Sequence, residues 1–563
     1  MLIVLAISLS LCAGRLLQLQ GFDSSAYAAM SADQLTVRLP LLPARGQITD
    51  RNGTVLAATQ PAVAVTADPT LTSARAGEIA AVLAGYLEMP EATLIGLLTK
   101  PNTHFVYIKK KVPAQIYLRI AADLANRHIY GVFRESDPIR TYPGGMVGSS
   151  VIGFVGANGK GQAGIELSMN RELAGVEGRE IYESAPNGSR IPLGNSTIVP
   201  AQNGLDLQLT IDSELQWVAE RRLAAQVNRM HADWGFAITM NAKTGEILAL
   251  ANAPTVDPTN PGKTSPDDRG NRAISAPYEP GSVEKVLTSA ALTDSGTVTP
   301  ATRVKIPPRL RSGPLIIKDH YQHRVLRLTM RGVIAESSNI GTALLTRQLD
   351  KQRLRNYLAS FGLGSATRIE LPAESVGILP GADMTDIQRD QVAFGQAMSV
   401  TGVQEVAAIA GIVNGGIYNS PTVIKQVTDA NGNPVARTRP APRRIVSTSS
   451  SAMVRELMQA VLDNVNGRRN LKLDAYQTGG KTGTAQRADP VCHCYRGYVT
   501  SYVGFAPLND PQILTYVVLS NPHGGDTGTV VAAPVFRDIM EFALPRYSVA
   551  PNAKYHKPLP EKW

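Results

Sequence analysis

Two short apolar segments, residues 236–240 and 247–250, flank the turn-forming sequence Asn-Ala-Lys-Thr-Gly-Glu. Apolar segments separated by a short Gly-containing loop pair as the two antiparallel strands of a β-hairpin. The triplet Lys243-Thr244-Gly245 is therefore predicted to be the turn of this hairpin. A second pair of apolar segments, residues 498–505 and 513–519, predicts two more strands.

The size and composition of the chain indicate a globular protein of more than one domain. It has 563 residues, of which 44% are hydrophobic and 18% charged, with 49 Gly and 37 Pro. These values are typical of folded, loop-rich proteins rather than disordered ones. The net charge of +10 comes from scattered basic residues without an aromatic-basic pattern, which argues against nucleic-acid binding. A basic surface suits an anionic membrane or an anionic polymer.

The N-terminal segment is apolar but short for a membrane span. Residues 1–14 carry no charge and Arg15 interrupts the run, whereas a span needs about 20 apolar residues. Either Arg15 lies at the end of a short anchor, or the natural chain starts upstream. A cleaved signal peptide, with Ala26-Tyr27-Ala28 as its cleavage motif, lacks the usual basic n-region. We predict a retained anchor over residues 1–20.

Turn signals divide the rest of the chain. Residues 21–200 combine short strands, a helix near 76–87 and Gly-rich turns, which predicts an elongated module with a modest core. After Pro200, residues 205–211 alternate as a strand and Asp212-Ser213 caps a helix over 214–225. We therefore expect domains over 21–200 and 201–545, followed by a tail over 546–563.

The sequence Ser282-x-x-Lys285 is the only Ser-x-x-Lys in the chain. It precedes an apolar stretch of helical length, residues 286–292, and Pro280-Gly281 place Ser282 at the predicted helix start. The positive end of a helix favours a developing alkoxide, and residues three apart share a helix face. A neutral lysine activates a serine nucleophile. Alone, the motif reads more simply as a capping serine and a solvated lysine.

Two further short motifs follow in order. Ser337-x-Asn339 lies on another apolar helix and offers a hydroxyl and an amide. The second Lys-Thr-Gly, at Lys481, follows Gly479-Gly480, and residues 484–486 continue as a strand. Lys481 is therefore expected at a sheet edge, where an extended peptide adds as a further strand. A phosphate loop is excluded, because the position that needs glycine is Ala475.

The order Ser-x-x-Lys, Ser-x-Asn, Lys-Thr-Gly is the signature of the penicillin-recognising serine transferases. Over nearly its whole length the sequence resembles the class B penicillin-binding proteins. Further segments similar to motifs of that family are Arg45-Gly46, Asp50-Arg51-Asn52-Gly53, Arg140-Thr141-Tyr142-Pro143, Gly164-Ile165-Glu166, Asn271-Arg272-Ala273 and Ala393-Phe394-Gly395-Gln396. The chain departs from the family pattern at Ser150, Glu284 and Gly402.

The resemblance implies an α+β penicillin-binding transpeptidase fold. Its mostly antiparallel central sheet is flanked by helices, and an elongated N-terminal pedestal domain and a membrane anchor precede it. The implied catalytic residues are Ser282 as nucleophile, Lys285 as general base, and Ser337, Asn339 and Lys481 as proton relay and carboxylate holders. The implied substrate-binding residues are Thr482, Gly483 and Thr484, and the implied oxyanion hole is formed by the backbone N–H groups of Ser282 and Thr484. No metal or cofactor is implied.

The family also implies a function at the cell surface. Its members are peptidoglycan D,D-transpeptidases that are acylated by β-lactams. Implied partners are stem peptides, nascent glycan, a SEDS-type membrane glycosyltransferase and divisome proteins, with a septal role and a single-pass location in the plasma membrane. A D,D-carboxypeptidase or β-lactamase would pass the acyl group to water. A non-enzymatic β-lactam sensor or division scaffold is an alternative of another class.

The cysteines leave three alternatives open. Cys12 lies in the predicted anchor, and the other two form Cys492-His493-Cys494. The pair could be inert thiols or a local disulfide. A metal site is less favoured, because a second pair of ligands is missing.

Overall fold

The computed structural model describes residues 2–19, 36–183, 191, 196–463, 473–489, 492–525, 527–552 and 559–563. These residues form two compact units. The first unit comprises Met1–Gly46, Thr59–Ile139 and Arg171–Leu205. The second comprises Gln47–Ala58, Arg140–Asn170 and Asp206–Trp563.

The described residues form the following helices and strands. The helices are α1 (Leu2–Leu17), α2 (Pro69–Thr72), α3 (Ala76–Leu87), α4 (Glu91–Leu98), α5 (Ala114–Asn126), α6 (Ser149–Ile152), α7 (Gly164–Ser168), α8 (Asn170–Ala174), α9 (Ser213–Arg229), α10 (Arg272–Ser275), α11 (Lys285–Asp294), α12 (Met330–Ala335), α13 (Asn339–Thr346), α14 (Lys351–Ser360), α15 (Asp386–Val392), α16 (Gly402–Val413), α17 (Thr448–Asp463), α18 (Gly528–Val531) and α19 (Ala533–Arg546). The strands are β1 (Thr36–Leu41), β2 (Ile48–Thr49), β3 (Val55–Gln60), β4 (Ala62–Ala67), β5 (Val106–Pro113), β6 (Val132–Ser136), β7 (Ile139–Thr141), β8 (Gly178–Glu183), β9 (Ser196–Val199), β10 (Asp206–Leu209), β11 (Trp234–Asn241), β12 (Ile247–Ala253), β13 (Arg303–Ile306), β14 (Leu310–Ser312), β15 (Leu315–Ile317), β16 (Leu326–Thr329), β17 (Ile417–Tyr418), β18 (Ile424–Thr428), β19 (Arg443–Arg444), β20 (Gly479–Asp489), β21 (Cys494–Ala506) and β22 (Ile513–Ser520).

Helix α1 covers most of the predicted anchor over residues 1–20. It contains 16 residues. In the part of the chain that the structure describes, no helix combines the length and the apolar character that a bilayer crossing requires. The proposed cleavage motif Ala26-Tyr27-Ala28 lies outside the described residues.

The first unit contains two three-stranded sheets, in the orders β1-β8-β9 and β5-β4-β6. The central strand β4 is buried along its whole length. Helices α3, α4 and α5 supply apolar side chains to the same core, including Leu83, Leu94 and Ile120. The helix predicted near residues 76–87 is confirmed as α3.

The second unit is built on a five-stranded antiparallel sheet in the order β12-β11-β22-β21-β20. The predicted hairpin is confirmed, because β11 pairs with β12 around the turn at Lys243. Strands β21 and β22 confirm the second pair of predicted strands. The α+β transpeptidase fold expected from the resemblance is confirmed by this antiparallel sheet with its helices.

Helices cover both faces of this sheet. On one face, α9 and α19 pack with Val517 and Ala237 in a continuous apolar core. Side chains alternate along a strand, so neighbouring Phe236 points to the opposite face, where α16 lies. A Cβ on Gly402, at the start of α16, would come within 2.4 Å of the Phe236 ring. Glycine at position 402, one of the departures from the family pattern, therefore lets α16 approach the Phe236 ring closely.

Local capping fixes where the main helices start. The Asp212 carboxylate accepts hydrogen bonds from the backbone N–H groups of Glu214 and Leu215, as the predicted cap requires. Thr401 and Gln404 form a reciprocal capping box at the start of α16. Strand β10 is shorter than the predicted 205–211 and ends at Leu209.

Residues 559–563, in the predicted tail, lie against α12 and β16. Thr329 Oγ1 donates to Pro560 O, and Trp563 Nε1 donates to Leu328 O. The fully buried guanidinium of Arg331 contacts Asp463 Oδ2 at 2.6 Å and Glu561 Oε1 at 3.1 Å. These contacts hold the first turn of α12.

Cys492 and Cys494 are joined by a disulfide bond. Of the three alternatives for this pair, the structure therefore shows the local disulfide. The bond lies next to the hairpin formed by β20 and β21.

Candidate active site

Ser282 lies in a single 3₁₀ turn, Gly281–Val283, immediately before α11. The sequence predicts Ser282 at the start of the helix itself, and the α-helix instead begins at Lys285. The Glu284 N–H bonds back to Gly281 O, which tightens this turn to the 3₁₀ geometry. Ser282 is half-buried, whereas Lys285 is completely buried.

The Lys285 amine is held by the loop between α12 and α13. Its Nζ donates to Ser337 O at 2.5 Å and to Asn339 Oδ1 at 2.7 Å, and lies 3.3 Å from Ser337 Oγ. Asn339 Nδ2 in turn donates to Lys318 O at 3.1 Å. The amide of Asn339 is thereby fixed with its oxygen towards the amine.

Burial controls the protonation of Lys285. Removal of the amine from water lowers the pKa of Lys285 to about 7, and the charge of Asp319 opposes this shift. With this pKa, a substantial fraction of the lysine is a neutral amine at neutral pH, and a general base requires that form.

Lys481 reaches the same hydroxyl from the central sheet. Its Nζ donates to Ser337 Oγ at 2.9 Å and to Thr482 O at 2.9 Å. Ser337 Oγ therefore lies between the amines of Lys285 and Lys481. This arrangement allows a proton to move between the two lysines through one hydroxyl.

Strand β20 forms one wall of the site, at the edge of the sheet, as the sequence predicts. In its pairing with β21, Gly483 lies opposite Ser501 and Thr484 opposite Thr500. A Cβ on Gly483 would lie 2.2 Å from Ser501 Oγ and 2.9 Å from Val283 Cγ2. Glycine at this position therefore lets β20 approach the turn that carries Ser282.

A cavity of about 460 Å³ connects these elements. Its lining includes the predicted residues Ser282, Ser337, Asn339, Thr482 and Thr484. The side chains of Lys285 and Lys481 meet at Ser337, on the wall of this cavity. The structure thus brings all the predicted catalytic residues together.

Residues 318–321 also line the cavity, and the sequence did not indicate them. Asp319 accepts hydrogen bonds from Ser338 Oγ at 2.7 Å and from the Ile340 N–H at 3.0 Å. His323 Nε2 lies 3.1 Å from the same carboxylate. Asp319 therefore fixes the start of α13, which carries Asn339. A lone aspartate in a polar loop gave no signal of this role.

The first Lys-Thr-Gly takes no part in this site. Lys243 forms an ion pair with Asp510 Oδ1 at 2.6 Å in the hairpin turn between β11 and β12. The two Lys-Thr-Gly triplets therefore have the same sequence but lie in different places: one in a hairpin turn and the other at the cavity.

Two family models match the chain. The model described as penicillin binding protein transpeptidase domain matches residues 235–541, and the one described as penicillin-binding protein dimerisation domain matches residues 40–209. Together they span both the residues of the site and most of the preceding chain.

Known proteins are similar over almost the whole chain. The chain is 31% identical to penicillin-binding protein PbpB of Mycolicibacterium smegmatis, covering 97% of this chain and 90% of that protein. It is 30% identical to the probable peptidoglycan D,D-transpeptidase PbpC of Pseudomonas aeruginosa, over 96% of this chain and 93% of that one. A crystal structure of penicillin-binding protein 3 from Mycobacterium tuberculosis in complex with aztreonam superposes with a TM-score of 0.73 at 27% identity. It covers 93% of this chain and 100% of that one.

Proposed function

The chain belongs to the class B penicillin-binding proteins, and from that premise we propose that it is a peptidoglycan D,D-transpeptidase acting through an acyl-enzyme on Ser282. The observation that carries this function is the buried Lys285 amine, with its lowered pKa, one turn beyond a serine that lines the cavity. The substrate is the stem peptide of peptidoglycan. β-Lactams acylate the same hydroxyl.

The first half of the reaction transfers the peptide to Ser282. Ser282 Oγ attacks the carbonyl carbon of the penultimate D-Ala, and the neutral amine of Lys285 takes the hydroxyl proton. The oxyanion is held by the backbone N–H groups of Ser282 and Thr484. When the C–N bond breaks, the proton that Lys285 took passes through the Ser337 hydroxyl to the leaving amine of the terminal D-Ala, and Lys285 is neutral again.

The second half passes the acyl group to an amine. The side-chain amine of a neighbouring stem peptide attacks the ester carbonyl and gives its proton to Lys285. Collapse of the tetrahedral intermediate releases Ser282, which recovers a proton from Lys285. The product is a new peptide bond between two stems.

Strand β20 binds the donor peptide. An extended stem lies along this edge strand, and backbone hydrogen bonds fix its register. Lys481, Thr482, Gly483 and Thr484 hold the carboxylate of the terminal D-Ala. The amine of Lys481 and the hydroxyls of the threonines are hydrogen-bond donors that suit a carboxylate, because hydrogen bonds to a charged acceptor are strong.

The protein works at the division septum, attached to the plasma membrane with its catalytic unit outside the cytoplasm. Helix α1 exposes large apolar side chains, among them Ile3, Leu5 and Leu11, which suits contact with lipid. A SEDS-type glycosyltransferase supplies the glycan strands, and divisome proteins recruit the enzyme. Fractionation of the full chain and of a variant without residues 1–20 tests the attachment, and midcell imaging of a fluorescent fusion tests the septal role.

Mass spectrometry of the intact protein tests the nucleophile. We expect incubation with a penicillin to add one penicilloyl mass to the wild type and none to Ser282→Ala. Ser295→Ala, at the far end of α11, is the matched control and should be labelled like the wild type. A labelled Ser282→Ala protein would refute the assignment.

Product analysis separates transfer from the alternatives. A donor stem peptide is incubated with the enzyme in the presence and absence of an acceptor amine. We expect a crosslinked dimer with the acceptor. Release of D-Ala with hydrolysis alone would identify a D,D-carboxypeptidase, and penicillin labelling without any turnover would identify a sensor or scaffold.

A further inference from the structure

Two glutamates are buried beside the catalytic turn. Glu284 lies between Ser282 and Lys285, and Glu405 lies in α16, which packs against α11. Both residues are 0% exposed. Within the described part of the chain, no carboxyl oxygen of either residue has a hydrogen-bond partner. The mechanism proposed above uses neither group.

The polar neighbours of this pair are tyrosines. Tyr278 OH donates to Tyr516 OH at 2.7 Å. Burial raises the pKa of both phenols, and a charge on Glu405 would raise both further. Lys285 is adjacent in sequence, but its amine points to Ser337 and Asn339.

Cations on the other elements packed against α16 are engaged elsewhere. Arg272 of α10 pairs with Asp268 at 2.8 Å. Arg455 of α17 donates to Val413 O and Ser451 Oγ. Among the described residues, no arginine, lysine or histidine donates a hydrogen bond to either glutamate.

Two unpaired carboxylates in such an environment are not stable. An isolated buried charge is so costly that the group takes up a proton instead. Burial raises the pKa of both carboxyl groups, and the charge of Glu405 raises the pKa of Glu284 further. At neutral pH the pair is therefore protonated, and protons are taken up when the protein folds.

We propose that Glu284 is a positioning residue: its uncharged carboxyl group, buried together with that of Glu405, lets the Ser282 turn pack closely against α16. Ionisation of the pair in alkaline solution loosens this turn and places negative charge next to Lys285 in the chain. Both effects slow acylation of Ser282, because the nucleophile is displaced and the amine keeps its proton. This inference rests on the proposed role of Ser282.

The pH dependence of acylation tests the pair. The rate of labelling by a fluorescent penicillin is measured from about pH 7 to about pH 9.5 for the wild type and Glu284→Gln/Glu405→Gln. Once the pair ionises, we expect the wild-type rate to fall by up to about tenfold per pH unit, and the double variant to keep its rate further into the alkaline range. An identical alkaline decline in both folded proteins would overturn the proposal.

Stability supplies a readout that does not depend on activity. Carboxyl groups with a raised pKa stabilise the folded state fully below their unfolded pKa, and this contribution is lost as the pH rises towards the folded pKa. The free energy of unfolding, measured in urea, should therefore fall more steeply above about pH 5 for the wild type than for the double variant. If the free energy of unfolding had the same pH dependence in both proteins, the proposed protonation of the two glutamates would be wrong. If the pH dependences differed but the wild type was not labelled by penicillin, only the role of Ser282 would be wrong.

A spectroscopic measurement on the wild type covers the case in which the double variant does not fold. Infrared spectra at neutral pH should contain the band of a buried protonated carboxyl group, and Glu405→Gln alone should reduce it. Absence of this band from the wild type would overturn the proposal.

Discussion

At the scale of single residues, the proposed role of Lys285 as general base depends on its protonation state. Burial lowers the pKa of its amine, and Asp319 limits that shift. The hydrogen bonds to Ser337 O and Asn339 Oδ1 fix the amine in place. Lys285 is therefore oriented through the same atoms whether or not it carries the proton taken from Ser282.

Replacement of Lys285 by arginine should remove the base while keeping a cation. A guanidinium stays protonated throughout the accessible pH range, so penicillin acylation should fall by about 10²–10⁴-fold. In the wild type, the acylation rate should rise with pH up to about 7, the pKa of Lys285, because the neutral amine is the active form. Stopped-flow labelling measures both effects.

Lys243→Arg is the matched control for this change. Lys243 belongs to the other Lys-Thr-Gly triplet and pairs with Asp510 in a hairpin turn, so its labelling rate should equal that of the wild type. A Lys285→Arg enzyme that labels at the wild-type rate would exclude Lys285 as the base.

The residues of the site differ in how far they could be predicted from the sequence. Ser282 and Lys285 were indicated by their spacing, because neighbours on a turn are related locally. Asp319 was not, because its contacts with Ser338 and Ile340 join a loop to a helix start about 20 positions away. The burial of Glu284 together with Glu405 could not be predicted either, because it depends on the packing of α16 against α11.

At the scale of elements, β20 and the Ser282 turn form one surface. The small residue Gly483 allows their backbones to approach, since any side chain there would meet Ser501 and Val283. Hairpin strands and the helix over 76–87 were predictable from local periodicity. The 3₁₀ turn before α11 was not, because it is fixed by contacts such as Gly281 N with Gly395 O.

A valine at position 483 should separate β20 from the catalytic turn. Overpacking of this kind costs about 1–3 kcal/mol of unfolding free energy, and acylation should fall at least about 100-fold through misplacement of the nucleophile. Urea unfolding and penicillin labelling measure the two effects. Gly262→Val, where a Cβ meets nothing within 4 Å, should leave both quantities nearly unchanged. If Gly483→Val were labelled at the wild-type rate, close contact between β20 and the Ser282 turn would not be needed for acylation.

At the scale of the whole second unit, distant segments of the chain converge on α12, which leads into Ser337. Arg331 joins this helix to Asp463 of α17 and to Glu561. Neither the partners of Arg331 nor the placement of residues 559–563 could be read from the sequence, because ion pairs between distant segments leave no periodic pattern.

Loss of the Arg331 cation should destabilise this unit strongly. Arg331→Met leaves three partly buried carboxylates, those of Glu456, Asp463 and Glu561, without their cation, which costs about 3–5 kcal/mol. Chemical denaturation measures the change, and Arg309→Met, on an exposed arginine, should shift the free energy of unfolding by less than about 0.5 kcal/mol. An equally small change for Arg331→Met would mean that the network contributes little.

The order of the central strands has a consequence for the folding of the newly synthesised chain. Strand β11 pairs on one side with β12, its neighbour in sequence, and on the other with β22, more than 260 positions later. A nascent chain that has emerged only as far as the first hairpin presents β11 as an open edge, to which other chains can add. Closure of that edge waits for a distant strand, so folding should be slow. We therefore expect chaperones to protect this hairpin until β22 has been synthesised.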